Sequence, residues 1–192
     1  MINAEVDLTN IVFETERLII RAWKETDLED FYEYAKVDGV GQMAGWNPHQ
    51  SVQESKTILE MFIKGKNEFA LELKENHKVI GSLGLEKMSL SLGGEYDNLA
   101  GREIGYVLSK AYWGRGLMPE AVKAVIAYCF QNEKYDYLKR TKINDDDMKI
   151  LKENTPIEQK KKNEFIYSKP IFCKGVFTGA VSIVTPLSTL SD

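Results

Sequence analysis

The residues best suited to chemistry lie in YWGRGLMPEA, residues 112–121. Two glycines flank an arginine there, directly after a strand-like run (EIGYVL, 103–108) and directly before an apolar-periodic run (AVKAVIAYCF, 121–130). At a helix start the first amides lack intrahelical acceptors and the dipole presents roughly half a positive charge, so such a junction can hold an anion. Gly114 and Gly116 would let the backbone approach a phosphate closely, and Arg115 would add a charge-assisted contact. Pro119, near the first helical turn, has no amide to leave unpaired. The stretch therefore reads as a diphosphate cradle; a tight turn with an exposed arginine is the plainer alternative.

Two other phosphate-binding patterns fit less well. No G-x-x-x-x-G-K-[ST] occurs, since Gly65-Lys66 is followed by Asn67. A dinucleotide fingerprint has a partial match, with Asp136 lying 20 residues after Gly116, but Pro119 stands where a third small residue belongs.

The elements around the junction can be read from periodicity. RLIIRA (17–22) is a strand, and TDLE (26–29) has the capping form ahead of Leu28, Phe31, Tyr32 and Ala35, one apolar helix face. A Gly/Pro/Asn loop (39–50) leads to SVQE (51–54), a second capping signature before Ile58, Leu59 and Phe62. FALEL (69–73) and VIGSLGLEKM (79–88) form a hairpin across a polar turn, and a loop follows at 89–101. REIGYVL (102–108) carries Gly105 inside a strand, where glycine often marks a bulge or a close backbone approach. Val122, Val125, Ile126 and Cys129 form the core stripe of the helix after the glycines. The order is β-α-α-β-β-β-α, an α+β fold with a mixed central sheet. Further on, 143–156 suits a short helix capped by Asn144 and stopped by Pro156, and 165–184 is strand-like with a turn near Gly175.

The bulk composition limits the partners. With 192 residues, 43% apolar and 28% charged, the chain is expected to fold as one domain, 1–192. Its net charge of −4 and its lack of a basic stripe argue against nucleic acid. Glu5 and Asp7 interrupt any secretory leader, and the longest uncharged run, 175–191, falls short of the roughly 20 apolar residues a membrane span needs. A cytoplasmic location without a membrane partner is expected. Cys129 and Cys173 lack ligand spacing and read as buried thiols, so no metal is expected.

ETERLIIR (14–21), GWNPHQSVQES (45–55), VIGSLGL (79–85), EIGYVL and YWGRGLMPEA resemble, in the same order, the GNAT superfamily of N-acetyltransferases, and within it the Rim-type enzymes that acetylate N-terminal amines of ribosomal proteins. The resemblance covers about residues 13–138, leaving 139–192 as a divergent, irregular C-terminal third. The family's Q/R-x-x-G-x-G/A loop falls on Trp113, Gly114, Arg115, Gly116, Leu117 and Met118, of which Trp113 and Met118 depart from the strict consensus. The resemblance implies that amides of residues 114–118 bind the diphosphate of acetyl-CoA. It also implies that pantetheine runs as a pseudo-strand beside Tyr106, Val107 and Leu108, splayed at Gly105. The Leu108 amide, or its neighbour, would then hold the thioester oxygen. Acetyl-CoA and an amine acceptor are the expected partners, with a homodimer allowed.

Direct transfer needs an uncharged amine. An α-amine with a pKa of about 7.7–8.0 is already more than about 5% neutral at pH 7, whereas a lysine at about 10.4 is neutral well under about 0.1% of the time. Glu103 is the candidate base on the strand beside the thioester; the alternative is an edge carboxylate paired with Arg102 or a lysine. His49 either lines an acceptor pocket or is a solvated loop histidine, and His77 has no assigned role. Beyond the strand, Asn144 matches the family's Asn-x-x-Ser, a cofactor-binding position. Asp147 replaces the Ser, Ile150 and Leu151 stand where the family often has a Tyr that protonates the departing thiolate, and Thr155-Pro156 replaces Gly-Phe. Little room is expected between Leu138 and Asn144 for a fifth strand. These departures keep a non-catalytic acyl-CoA-binding protein open as the alternative function.

Overall fold

A computed structural model describes residues 2–87, 100–131, 137–140, 172–173, 176–177 and 181–183. In chain order the elements are β1 (Ile2–Asn3), β2 (Val12–Glu14), β3 (Leu18–Ala22), α1 (Leu28–Ala35), α2 (Val52–Gly65), β4 (Glu68–Leu73), β5 (Val79–Glu86), β6 (Ala100–Leu108), α3 (Leu117–Gln131), β7 (Tyr137–Arg140), β8 (Phe172–Cys173), β9 (Val176–Phe177) and β10 (Val181–Ile183). They fall into two compact units, Val6–Leu85 with Gly105–Ala124, and Met1–Glu5 with Glu86–Ile104 and Val125–Asp192. The expected α+β class and the order β-α-α-β-β-β-α of its central elements are both present.

In the first unit, β2, β3, β4 and β5 pair antiparallel in succession, with Ile20 opposite Leu71 and Phe69 opposite Leu83. Leu18, Ile20, Phe69, Leu71, Ile80, Leu83 and Leu85 are fully buried. On the helical side, the i, i+3, i+4 spacing of α1 turns Phe31, Tyr34 and Ala35 inward. They join Trp23, Val40, Leu59, Ala70, Val79 and Val107 in one apolar cluster. Trp23, Phe31 and Phe62 are tilted against one another with ring centroids 5.2–5.8 Å apart. Each such side chain contributes about 1.5–3 kcal/mol by leaving water.

The second capping signature forms as expected. Ser51 Oγ accepts from the Glu54 amide at 3.1 Å, and Glu54 Oε2 accepts from the Gln50 amide at 2.7 Å. The first does not. A 3-10 turn over Glu25–Asp27 precedes α1, and it is Asp27 that turns the chain, accepting from the Lys24 amide at 2.8 Å. Its two carboxylate oxygens also take both terminal nitrogens of buried Arg21, at 2.8 and 2.9 Å. Arg21 Nε donates to Glu72 at 2.6 Å, so the network ties β3 to β4 and to the helix entry.

In the second unit, β7 pairs parallel with β6, Gly101 opposite Tyr137 and Ile104 opposite Arg140. β1 also pairs parallel with β6, and β10 runs antiparallel to β7. A fifth strand therefore does form before Asn144, contrary to expectation, with Tyr137–Arg140 laid beside β6. β8 and β9 pair antiparallel on either side of the turn expected near Gly175. The helix expected at 143–156 and most of the loop at 89–101 lie outside the described residues. Cys129 is a buried free thiol whose pKa burial pushes up to about 12. No helix among the described residues is long and apolar enough to cross a membrane.

Candidate functional site

β6 ends at Leu108, a 3-10 turn covers Lys110–Tyr112, and α3 begins at Leu117, four residues before the apolar run suggested. Between them Gly114 and Gly116 hold φ of 72° and 73°, a left-handed geometry that side chains with a Cβ resist. Among the described residues, a Cβ on Gly114 would meet no atom within 4 Å. Among the described residues, no backbone carbonyl accepts from the amides of Gly114, Arg115, Gly116, Leu117 or Met118. The last two are the orphan donors of a helix start.

Side chains hold this loop in place. Trp113 Nε1 donates to the Leu108 carbonyl at 2.7 Å. The Arg115 guanidinium lies 5.1 Å from the Tyr112 ring centre, and Lys110 Nζ lies 5.9 Å from that of Trp113. Arg17, just before β3, donates from Nη1 to the Arg115 carbonyl at 2.8 Å and from Nε to Glu120 Oε2 at 2.7 Å. Glu120 Oε1 accepts from the Arg17 amide at 2.8 Å and from the Thr15 hydroxyl. Burial pushes the Glu120 carboxyl up, but the hydrogen bonds from Thr15 and Arg17 outweigh it and hold it below the usual carboxylate range.

Along β6, Val107 and Leu108 are buried, Tyr106 is half-buried, and a Cβ on Gly105 would meet nothing within 4 Å among the described residues. Gly81 of β5 packs directly against the Val107 carbonyl and the Leu108 Cα, and the Ser109 amide donates to Ile80 at 2.7 Å. Glu103 is 4% exposed. It is no edge residue, because β6 carries β7, with Lys139 opposite Glu103 in the ladder, and also pairs with β1.

His49 is likewise not a solvated loop residue. It is buried, its Nδ1 lies 2.7 Å from Ser55 Oγ, and its ring sits 5.0 Å from Trp46 and 5.2 Å from Phe31. Burial lowers its pKa, against a smaller opposing pull from Glu54. His77 stays in its polar turn, exposed, with φ of 59° and a bond to Glu72. Asn144 lies outside the described residues. Thr15, Arg17 and Glu120 stood inside the quoted motifs, but nothing local joins residues 103 apart. Among the described residues, no group of three or more His, Cys, Asp or Glu is placed to hold a metal ion.

Residues 17–151 match the profile of the Acetyltransferase (GNAT) domain. The chain belongs to this family of acetyltransferases. The acetyltransferase is 29% identical over 148 residues to the uncharacterized N-acetyltransferase p20 of Bacillus licheniformis, covering 74% of each chain. Its fold is that of the ribosomal-protein-S5-alanine acetyltransferase of Vibrio fischeri, with a TM-score of 0.63 at 20% identity over 94% of this chain and 98% of that one. It is also that of a GNAT-family acetyltransferase from Bacillus anthracis, with a TM-score of 0.62 at 19% identity over 90% of this chain and 95% of that one. The GNAT family transfers acetyl groups and uses acetyl-CoA as cosubstrate.

Proposed function

We propose that this acetyltransferase moves the acetyl group of acetyl-CoA by direct attack of a primary amine, the acceptor being a peptide or protein N-terminus or a small amine. The observation that carries the reading is the row of amides at Gly114–Met118 that find no backbone carbonyl among the described residues, two of them on glycines held at positive φ. This fits a diphosphate: the donors lie at a helix start, Arg115 stands between the two glycines, and among the described residues nothing comes within 4 Å of a Cβ on Gly114. Tyr106, Val107 and Leu108 would flank the pantetheine arm, with the Leu108 amide directed to the carbonyl oxygen.

Glu103, two residues before Gly105 on the same strand, is the proposed base, taking a proton from the amine directly or through water. An N-terminal amine suits a single carboxylate because it loses its proton far more readily than a lysine. The Rim-type resemblance supports the same acceptor class, as does the likeness in fold to the ribosomal-protein-S5-alanine acetyltransferase of Vibrio fischeri.

The test is free-thiol release from acetyl-CoA against a panel of N-terminal peptides and polyamines, paired with a thermal shift by CoA. CoA at 100 times its Kd is expected to add about 2.7 kcal/mol of stability. Gly116→Val, which forces a β-branched residue to positive φ, is expected to abolish that shift. An undiminished shift in the variant, or thiol release with lysine side chains in preference to α-amines, would overturn the reading.

A further inference from the structure

We infer that Arg17 and Glu120 form a positioning clamp that orients the Arg115–Gly116 peptide toward the diphosphate, an inference that rests on the cosubstrate reading above. Glu120 stands in the first turn of α3. It grips Arg17 at the backbone amide and at the guanidinium, with Nε at 2.7 Å and Nη2 at 2.6 Å from the same oxygen, while Thr15 secures the other oxygen. The guanidinium so held puts Nη1 on the Arg115 carbonyl at 2.8 Å.

The peptide joining Arg115 to Gly116 is trans, so the Gly116 N–H points opposite to the Arg115 C=O. Fixing the carbonyl therefore fixes the amide, directing it away from the guanidinium, where no backbone carbonyl among the described residues accepts from it. A glycine-flanked peptide has little intrinsic preference between its two faces, since glycine populates both signs of φ. The contact, not local sterics, selects the face. Arg17 also balances a carboxylate that would otherwise sit unpaired beside an anion-binding helix start.

Two explanations for the pair predict opposite signs. If only charge mattered, Glu120→Gln would tighten CoA binding, because it removes a carboxylate near an anion. The clamp predicts weakening of about tenfold, because the amide cannot accept from Arg17 and Thr15 on both of its ends. Arg17→Lys keeps the charge but loses the fork, and is also expected to bind CoA about tenfold more weakly. Its kcat at saturating acetyl-CoA should stay within about threefold, which places the effect in KM.

The measurement is calorimetric titration of CoA into the full chain as wild type, Glu120→Gln, Arg17→Lys and Gly116→Val, with a thermal melt of each free protein. Weaker binding in the first two variants, with melting temperatures near wild type, supports the clamp. Binding by Glu120→Gln equal to or tighter than wild type overturns it, and this near-isosteric change decides alone should Arg17→Lys fail to fold. Wild-type binding that is lost only in Gly116→Val removes the clamp and keeps the cosubstrate site. No CoA binding by the wild type removes both.

Discussion

The indole N–H of Trp113 donates to the carbonyl of Leu108 at 2.7 Å, so the last residue of β6 is tied to the residue just before the glycine pair. The bond spans the 3-10 turn at Lys110–Tyr112 and links the strand proposed to flank pantetheine with the loop proposed to hold the diphosphate. Trp113→Phe keeps the ring and removes the donor. Since a neutral hydrogen bond nets about 0.5–1.5 kcal/mol, KM for acetyl-CoA is expected to rise about three- to tenfold with kcat little changed. Steady-state kinetics with acetyl-CoA varied checks this; an unchanged KM would mean the bond does not hold the two halves in register.

Gly81 and Gly105 give a matched pair of backbone tests. A Cβ on Gly81 would run into the Val107 carbonyl and crowd the Leu108 Cα, backbone atoms that cannot swing aside. Gly81→Ala is expected to cost about 1–3 kcal/mol in urea denaturation, the range for overpacking a tight contact. Gly105→Ala meets nothing within 4 Å among the described residues, and its φ lies outside the left-handed range. It is expected to leave stability within about 1 kcal/mol of wild type or to raise it slightly. Equal losses at both positions would show that β5 and β6 do not pack as closely as described.

What the sequence revealed and what it hid divide along physical lines. The α2 start was legible because Ser51 Oγ takes the Glu54 amide and the Glu54 carboxylate takes the Gln50 amide within one turn, and the junction was legible because glycine at positive φ leaves few alternatives. The α1 cap was misread because Asp27 is drawn to Arg21 on the neighbouring strand, a choice set by burial and not by local spacing. β7 was discounted from the short spacing to Asn144, yet a parallel strand takes its stability from the partner it lies beside. His49 looked solvated because polar loop residues usually are, but here the loop folds Trp46 over Gly41 and carries the histidine inward.

The Arg21 network is expected to dominate single-residue stability effects. Asp27→Ala removes the bidentate partner of a guanidinium that is 7% exposed, leaving it with Glu72 and one carbonyl. Breaking a buried pair from one side costs about 3–5 kcal/mol. Burial pushes the Glu72 carboxyl up, but hydrogen bonds from His77 and Arg21 outweigh it and hold it below the usual range. Because its folded pKa is lowered, its contribution is fully present above the unfolded value of about 4.3 and is lost as pH falls through the folded value. Urea denaturation at pH 7 measures the first effect. Melting temperatures from pH 5 down to pH 3 measure the second, and Glu72→Gln is expected to flatten that slope.

His49 sets a second, separate pH window. Its pKa is lowered by burial, so the folded protein holds it neutral where the unfolded chain already takes a proton. Above the unfolded value of about 6.5 both states are neutral and its contribution is whole. As pH falls below about 6.5 the unfolded state binds the proton first, and stability declines by up to about 1.4 kcal/mol per pH unit until the folded value is reached. The physical cause is the ring's position between Phe31 and Trp46 with Nδ1 on Ser55, where a charged imidazole would be poorly solvated. His49→Gln is expected to lower stability at pH 7 through lost packing, yet to lose less than wild type between pH 7 and pH 5.5, where carboxylates scarcely titrate. Urea denaturation at those two pH values checks it; parallel losses in the two proteins would show that His49 does not carry the dependence.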